Sequence, residues 1–258
     1  AKNYNLAGKL DKITNAFFDL HFFFLYNNPM KILVTSGGTS EAIDSVRSIT
    51  NHSTGRLGKI ITEILLAAGH EVCLITTHRA LKPDFHPYLT IREIKNTHDL
   101  LLEMKERVQH YQVLIHSMAV SDYTPVYMTG LEEVQASSDL EEFLRKENKE
   151  AKISSNDEVQ VLFLKKTPKI ISLVKEWNPA IHLIGFKLLV NVSEDHLIEV
   201  AQASLIKNKA DLIIANDLRH ISEKQHLAYF VEQDHLQTAR TKEEIATLLL
   251  EKIQAYDS

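Results

Sequence analysis

The 258-residue sequence has one cysteine, Cys73. No internal disulfide can form, and the chain is expected in a reducing, cytoplasmic compartment. Cys73 lies in an apolar stretch, where a buried, inert thiol is expected rather than a nucleophile. No apolar run reaches membrane-spanning length. The Phe-rich stretch within residues 1–29 is interrupted by Asp19 and His21, and it lacks the small-residue cleavage site of a signal peptide. Charge of either sign is modest: the formal net value of −5 argues against a nucleic-acid surface. Neither GxxxxGK[ST] nor GxGxxG occurs, which excludes a P-loop and the common dinucleotide fingerprint. The 13 histidines are scattered without metal-ligand spacing, so no protein-held metal is assigned. No Ser-His-Asp or Cys-His arrangement, internal repeat or low-complexity linker is readable.

What is present begins at residue 31. Residues 31–35 form a short apolar run that breaks into Ser36-Gly37-Gly38-Thr39. A second small, polar cluster, 51–55, opens a segment in which Ile60, Ile61, Ile64, Leu65 and Ala68 fall at helical spacing, ended by Gly69. Residues 72–75 read as the next strand. Strand, loop, helix and strand make one half of a nucleotide-binding α/β unit. The glycine pair at 37–38 exposes backbone N–H groups to an anion or makes a simple tight turn, and both readings stay open. Ser53, Thr54 and Gly55 lie at a helix N-terminus, whose free N–H groups and dipole favour phosphate. Gly55 and Gly58 each weaken that helix by about 1 kcal/mol relative to alanine, which favours close approach by a ligand.

Strands are expected at 89–94, 113–116, 159–164, 182–186, 212–215 and 227–231. Helices are expected at 97–109, 169–176, 193–208 and 241–256. Asn96 or Thr97, Ser193 and Thr241 are the candidate caps, with Glu244 completing a capping box. Strand and helix alternate, so the fold class is α/β: a mainly parallel, Rossmann-like sheet flanked by helices. Residues 124–152 are charge-dense and are expected to be a mobile excursion. Residues 1–29 read as an extension, cloning-derived or upstream. Residues 30–258 read as one α/β domain with a flap at about 124–158. Asp122 follows a strand end, where it binds a ligand or caps a turn. Lys152, Lys165 and Lys166 read singly as solvated surface lysines or as counter-charges to phosphate.

Together these segments resemble phosphopantothenoylcysteine synthetase, the phosphopantothenate–cysteine ligase family. The resemblance rests on ordered blocks from Met30 onward: TSGGTSEAIDSVRSITNHSTGRLGK, SMAVSDY, KIS at Lys152, LKKTPKII, IGFKL and DLIIANDL. With no flavin-binding decarboxylase segment before Met30, it is closest in form to the stand-alone bacterial enzyme. The resemblance implies a ligase of coenzyme A biosynthesis. CTP, with ATP as the alternative, would activate the carboxylate of 4′-phosphopantothenate as an acyl-nucleotidylate in the presence of Mg²⁺. L-cysteine would then displace CMP. It further implies a homodimer, made through an outer strand region, in which Arg47 reaches the neighbouring site.

By matching position, the resemblance places Gly37, Ser53, Gly55 and Gly58 around the nucleotide phosphates. Asn51 falls on the acyl intermediate and Lys152 on the flap, both in catalytic roles. Ala119 and Asp122 match substrate- and nucleotide-contacting positions. Pro168, Lys169, Ile170, Ile171, Phe186, Lys207 and Asn216 match positions on the nucleotide. Three features depart from the family pattern. Met118 replaces an alanine in the pantothenate pocket, the flap reads KISS without a lysine run, and Lys187-Leu188 follows Phe186 as in forms that include ATP users. Two other readings stay open: a nucleotide-binding or regulatory protein of the same fold without the chemistry, and an NAD(P)-dependent reductase, which the missing GxGxxG disfavours.

Overall fold

Strand β1 (Lys31–Ser36) is buried on both faces, the pattern of a strand covered by helices on each side. The structure is a computed structural model and describes residues 28–148, 152–154 and 156–256. After β1 come a small hairpin, β2 (Ser40–Ala42) and β3 (Ser48–Thr50), then α1 (Arg56–Ala67), β4 (Glu71–Thr77), β5 (Leu89–Ile94), α2 (Thr97–Arg107) and β6 (Val113–His116). The chain continues through β7 (Tyr123–Gly130), the short α3 (Leu131–Ala136), β8 (Gln160–Lys166), α4 (Ile170–Trp177), β9 (His182–Leu189) and α5 (Glu194–Asn208). It ends with β10 (Leu212–Asp217), β11 (Ala228–Val231), β12 (Leu236–Ala239) and the closing helix α6 (Lys242–Ala255).

Eight strands form one sheet in the order β12-β11-β10-β9-β6-β1-β4-β5. The run from β10 to β5 is parallel, and β11 and β12 add antiparallel at one edge. Alternate strand residues feed two sides. Ile32, Val34, Leu74, Ile115 and Ile214 pack with Ile61 and Leu65 of α1 and with Ile245 and Leu249 of α6. Leu33, Ile75 and Leu114 face Leu100 and Met104 of α2 and Ile170 and Val174 of α4. Ile213 and Ala215 face Leu197 and Ala201 of α5. Cys73 is buried in the second of these layers, and burial pushes its thiol pKa up, as an inert thiol requires. Winding runs from β1 outward to β4 and β5, then reverses to β6, β9 and β10. The loops leaving the carboxyl ends of β1 and β6 therefore part, which is where such sheets open a crevice.

The expectation of a mobile excursion at 124–152 is corrected. Residues 123–130 and 160–166 pair as an antiparallel arm, from Tyr123 opposite Lys166 to Gly130 opposite Gln160. The charge-dense connection hides one aromatic, Phe143, which is fully buried and stacks on Phe163 with ring centres 4.8 Å apart. The Asn148 side chain ties the return by bonding both the N–H and the C=O of Met128. Further on, residues 152–154 are pinned to the β2–β3 hairpin. Ile153 N–H donates to Asp44 Oδ2 at 3.2 Å, and Arg47 donates to the Ile153 carbonyl at 3.0 Å. The Asp44 side chain has no exposed surface. The Arg47 guanidinium beside it, with backbone N–H donors, holds its carboxyl well below the usual carboxylate range. Residues 149–151 and 155 of the expected flap, and all but the last two residues of the expected 1–29 extension, lie outside the described residues. The hairpin and β12 were not anticipated. Both are short and too exposed to write an apolar run.

Candidate functional site

A cleft of about 480 Å³ opens at the carboxyl ends of β1, β6, β9 and β10, within the range of ligand pockets. Three helices start on it: α1, α4 and α6. Neither α1 nor α4 has a side-chain cap at its N-cap residue or an acidic residue in its first turn. The other long helices, α6 among them, are finished differently. Asn96 caps α2, Ser193 caps α5 and Thr241 caps α6, each with an acid in the first turn. In α6 the Glu244 carboxylate reaches back to Arg240 N–H, one residue beyond the position of an ordinary capping box. At these starts Arg56 N–H donates to Thr54 Oγ1 at 3.4 Å and Ser172 N–H to the Lys169 carbonyl at 3.1 Å; with no acid in either first turn, both positive dipole ends face the cleft, an arrangement suited to an anion.

The glycines of α1 have a different cause from the one expected. A Cβ on Gly58 would lie 2.2 Å from Ser36 Oγ and 2.5 Å from Ser36 Cβ. Gly55 has φ of 74°, and a Cβ there would meet Ala80 Cβ at 2.9 Å. Both glycines border the cleft, but the close approach they permit is that of α1 onto the turn after β1. Gly37, at φ of 86°, makes that turn. The next residue, Gly38, bridges to Ala119 and joins the loops of β1 and β6.

Gly37, Ser53, Gly55, Gly58, Met118, Ala119, Asp122, Pro168, Lys169, Ile170, Ile171, Phe186 and Asn216 all line the cleft. Asn51 stands behind it. Its Nδ2 donates to the Ala119 carbonyl at 3.3 Å and to Ser121 Oγ at 3.0 Å. Asp122 and Lys169 pair across the mouth at 3.1 Å. Arg47, Lys152 and Lys207 do not line the cleft. Arg47 is committed to Asp44 and Ile153, while Lys152 and Lys207 are exposed. From α5, the residues that do line it are Ser204 and Asn208, one helical turn apart. Lys165 and Lys166 are exposed on β8, away from the cleft.

Four further lining residues went unread in the sequence: His116, Asn208, His226 and Lys242. His116 is buried and shares a 2.8 Å hydrogen bond with Thr35 Oγ1. Burial, and then the Lys169 charge, push its pKa down to about 4. Asn208 donates through Nδ2 to the Ser204 carbonyl at 2.8 Å, which fixes the amide orientation and leaves buried Oδ1 without a partner. His226 is 6% exposed, and its Nε2 lies 2.8 Å from Asn216 Nδ2. An amide nitrogen only donates, so Nε2 accepts and the proton sits on Nδ1, which is buried without a partner. Isolated histidines and asparagines carry no spacing signal, so only the fold could assemble these groups.

The family described as "DNA/pantothenate metabolism flavoprotein C-terminal domain" matches residues 28–132 and 133–256. The chain belongs to this family. It is 31% identical over 227 residues to the Coenzyme A biosynthesis bifunctional protein CoaBC of Thermococcus kodakarensis, covering 87% of this chain and 51% of that protein. The Methanocaldococcus jannaschii protein of the same name is 29% identical, with 87% and 50% covered. The chain thus spans about half the length of the curated relatives it matches. Among solved structures, the DNA/pantothenate metabolism flavoprotein from Streptococcus pneumoniae superposes with a TM-score of 0.85 at 81% identity, covering 88% of this chain and 99% of that one. The C-terminal domain of a CoaBC protein gives a TM-score of 0.65 at 26% identity, covering 88% and 95%. The Rossmann-like sheet and the resemblance to phosphopantothenoylcysteine synthetase accordingly hold at the level of family and fold. Among the described residues, no helix is long and apolar enough to cross a membrane.

Proposed function

We propose that this member of the flavoprotein C-terminal domain family is a phosphopantothenate–cysteine ligase of coenzyme A biosynthesis. The observation that carries the reading is the pair of uncapped helix starts facing one cleft at the sheet's winding reversal. The names of the CoaBC relatives, and a structural neighbour of the same fold described as a complex with phosphopantothenate-cysteine, support the reading.

In this reading a nucleoside triphosphate, CTP in the first instance and ATP as the alternative, lies along the cleft with its phosphates over Gly37, Ser53, Gly55 and Gly58. The carboxylate oxygen of 4′-phosphopantothenate attacks the α-phosphorus. The bridging P–O bond breaks, and its electron pair leaves with pyrophosphate. The amine of L-cysteine then attacks the acyl carbon and loses a proton. The C–N bond forms as CMP departs with the C–O electron pair. Backbone N–H groups and helix dipoles offset charge without having to reorganise. Asn51, through Nδ2 bonds to the Ala119 carbonyl and Ser121 Oγ, holds the wall against which the acyl intermediate would lie. Phe186 and Asn216 position the nucleoside, and the segment bearing Lys152 closes over it. Asp122 is the one carboxylate among the described lining residues, and no cluster of three or more His, Cys, Asp or Glu occurs among them. That composition fits Mg²⁺ carried in on the phosphates, with at most Asp122 from the protein. Dimerisation would bring Arg47 of one copy to the pantothenate phosphate of the other.

The test is pyrophosphate release with Mg²⁺ and 4′-phosphopantothenate, with CTP or ATP, with and without cysteine. Cysteine-stimulated release with CTP is expected. Release with ATP alone would change the base preference. Silence with both, from folded protein that still binds CTP, would overturn the ligase in favour of a nucleotide-binding protein.

A further inference from the structure

Beside the start of α1 the cleft collects donors and cations from separate elements. Arg56 is the first residue of α1 and Lys242 the first of α6, and both line the cleft. A cation at the first position of a helix opposes the helix dipole, so neither residue is there for its own helix. Neither has an ion-pair partner among the described residues. Lys242 Nζ makes a 2.9 Å bond to the Ser222 carbonyl, and Glu243 and Glu223 act on it without closing to an ion pair. Burial first, and then the Arg56 charge, pull the Lys242 ammonium below its ordinary pKa. Beside them His226 offers the buried Nδ1–H that meets no acceptor. Burial, and then the Lys242 charge, hold its ring pKa near 4, so it is a neutral donor at neutral pH. Two neighbouring cations and a neutral N–H donor, with Glu243 and Glu223 acting on Lys242 but forming no ion pair with it, describe the surroundings of an anion.

We infer that Lys242, Arg56 and His226 bind the terminal phosphates of the nucleotide and hold the departing pyrophosphate. The inference rests on the ligase reading for the identity of the anion. It extends that reading to residues the family resemblance did not place. Asn216 acts here as a positioning residue, since its amide keeps the His226 proton on the nitrogen that lacks a partner.

Direct binding separates the two claims. Inorganic pyrophosphate and CMP are titrated calorimetrically into the full chain with Mg²⁺, using wild type, Lys242→Met, Lys242→Arg and His226→Gln. Lys242→Met should weaken pyrophosphate about tenfold, leave CMP unchanged and retain the wild-type melting temperature. Lys242→Arg should restore most of the loss, and His226→Gln should weaken pyrophosphate by a smaller factor. In turnover, Lys242→Met should raise the nucleotide KM and the inhibition constant for pyrophosphate together. Unchanged pyrophosphate affinity in both Lys242→Met and His226→Gln would overturn the site, whatever the enzyme turns over. Pyrophosphate binding that follows these variants, with no ligase turnover on any nucleotide, would keep the site and overturn the ligase.

Discussion

The two ends of the cleft are built by opposite means. The glycine end is made of backbone. One contiguous stretch, from Ser36 to Gly58, supplies a left-handed turn and a helix start pressed against it. The other end is made of side chains, with Asn208, His226 and Lys242 arriving from three separate elements. Packing maintains the first end whether or not a ligand is present. The second holds polar atoms without a protein partner and two neighbouring cations, which an anionic ligand would satisfy. Substitutions at the packed glycines should therefore register first in stability, and those at the cationic side chains first in affinity.

The largest expected effect breaks the backbone end. Alanine at an ordinary helical glycine stabilises by about 1 kcal/mol. Gly58→Ala should instead destabilise by about 2 kcal/mol, because its Cβ runs into Ser36 rather than a movable side-chain tip. Denaturant unfolding measures the sign, and Ser36→Gly in the same chain should recover most of the loss. A stabilised Gly58→Ala would mean that α1 does not sit on the turn as described.

Acid tests the histidines between the two ends. His116 has its folded pKa lowered from 6.5 to about 4, so the unfolded chain binds the extra proton first. The stability it protects is complete above pH 6.5 and is lost as pH falls toward 4, by an amount on the order of 3 kcal/mol. His226 adds in the same direction and over the same window. Melting temperature followed from pH 7 to pH 4 should show this limb, and His116→Gln and His226→Gln should each flatten it. A limb as steep as wild type in both variants would assign the acid sensitivity elsewhere.

How much of this could be read in advance follows from the same division. The α/β alternation was legible because burial on both sheet faces writes long apolar runs, as in β1 and β10. The glycine end was legible because it is contiguous, although the reason for Gly58 was not: its partner Ser36 is 22 residues away in a loop geometry no periodicity encodes. The arm was misread because Tyr127, Phe143 and Phe163 are spread through charged sequence and meet only after folding. Lys207 was placed by matching position alone, while the phase of α5 relative to the cleft is set by Leu197, Ala201 and Leu205 packing on β10.

The smallest effects compare the two helix starts directly. Thr241 Oγ1 accepts from Glu244 N–H at 3.1 Å, so Thr241→Ala should cost about 1 kcal/mol of stability. Ser53 precedes a helix that no side chain caps. Ser53→Ala should therefore change unfolding free energy by less than about 0.5 kcal/mol, the range of an ordinary surface substitution. The same variant should weaken CTP binding several-fold, because under the ligase reading its hydroxyl serves the phosphates rather than the helix. Calorimetric CTP titration set beside thermal melts decides the matter. A Ser53→Ala protein that melts early and binds normally would show that α1 is capped like its neighbours and that the two ends do not differ in the way argued.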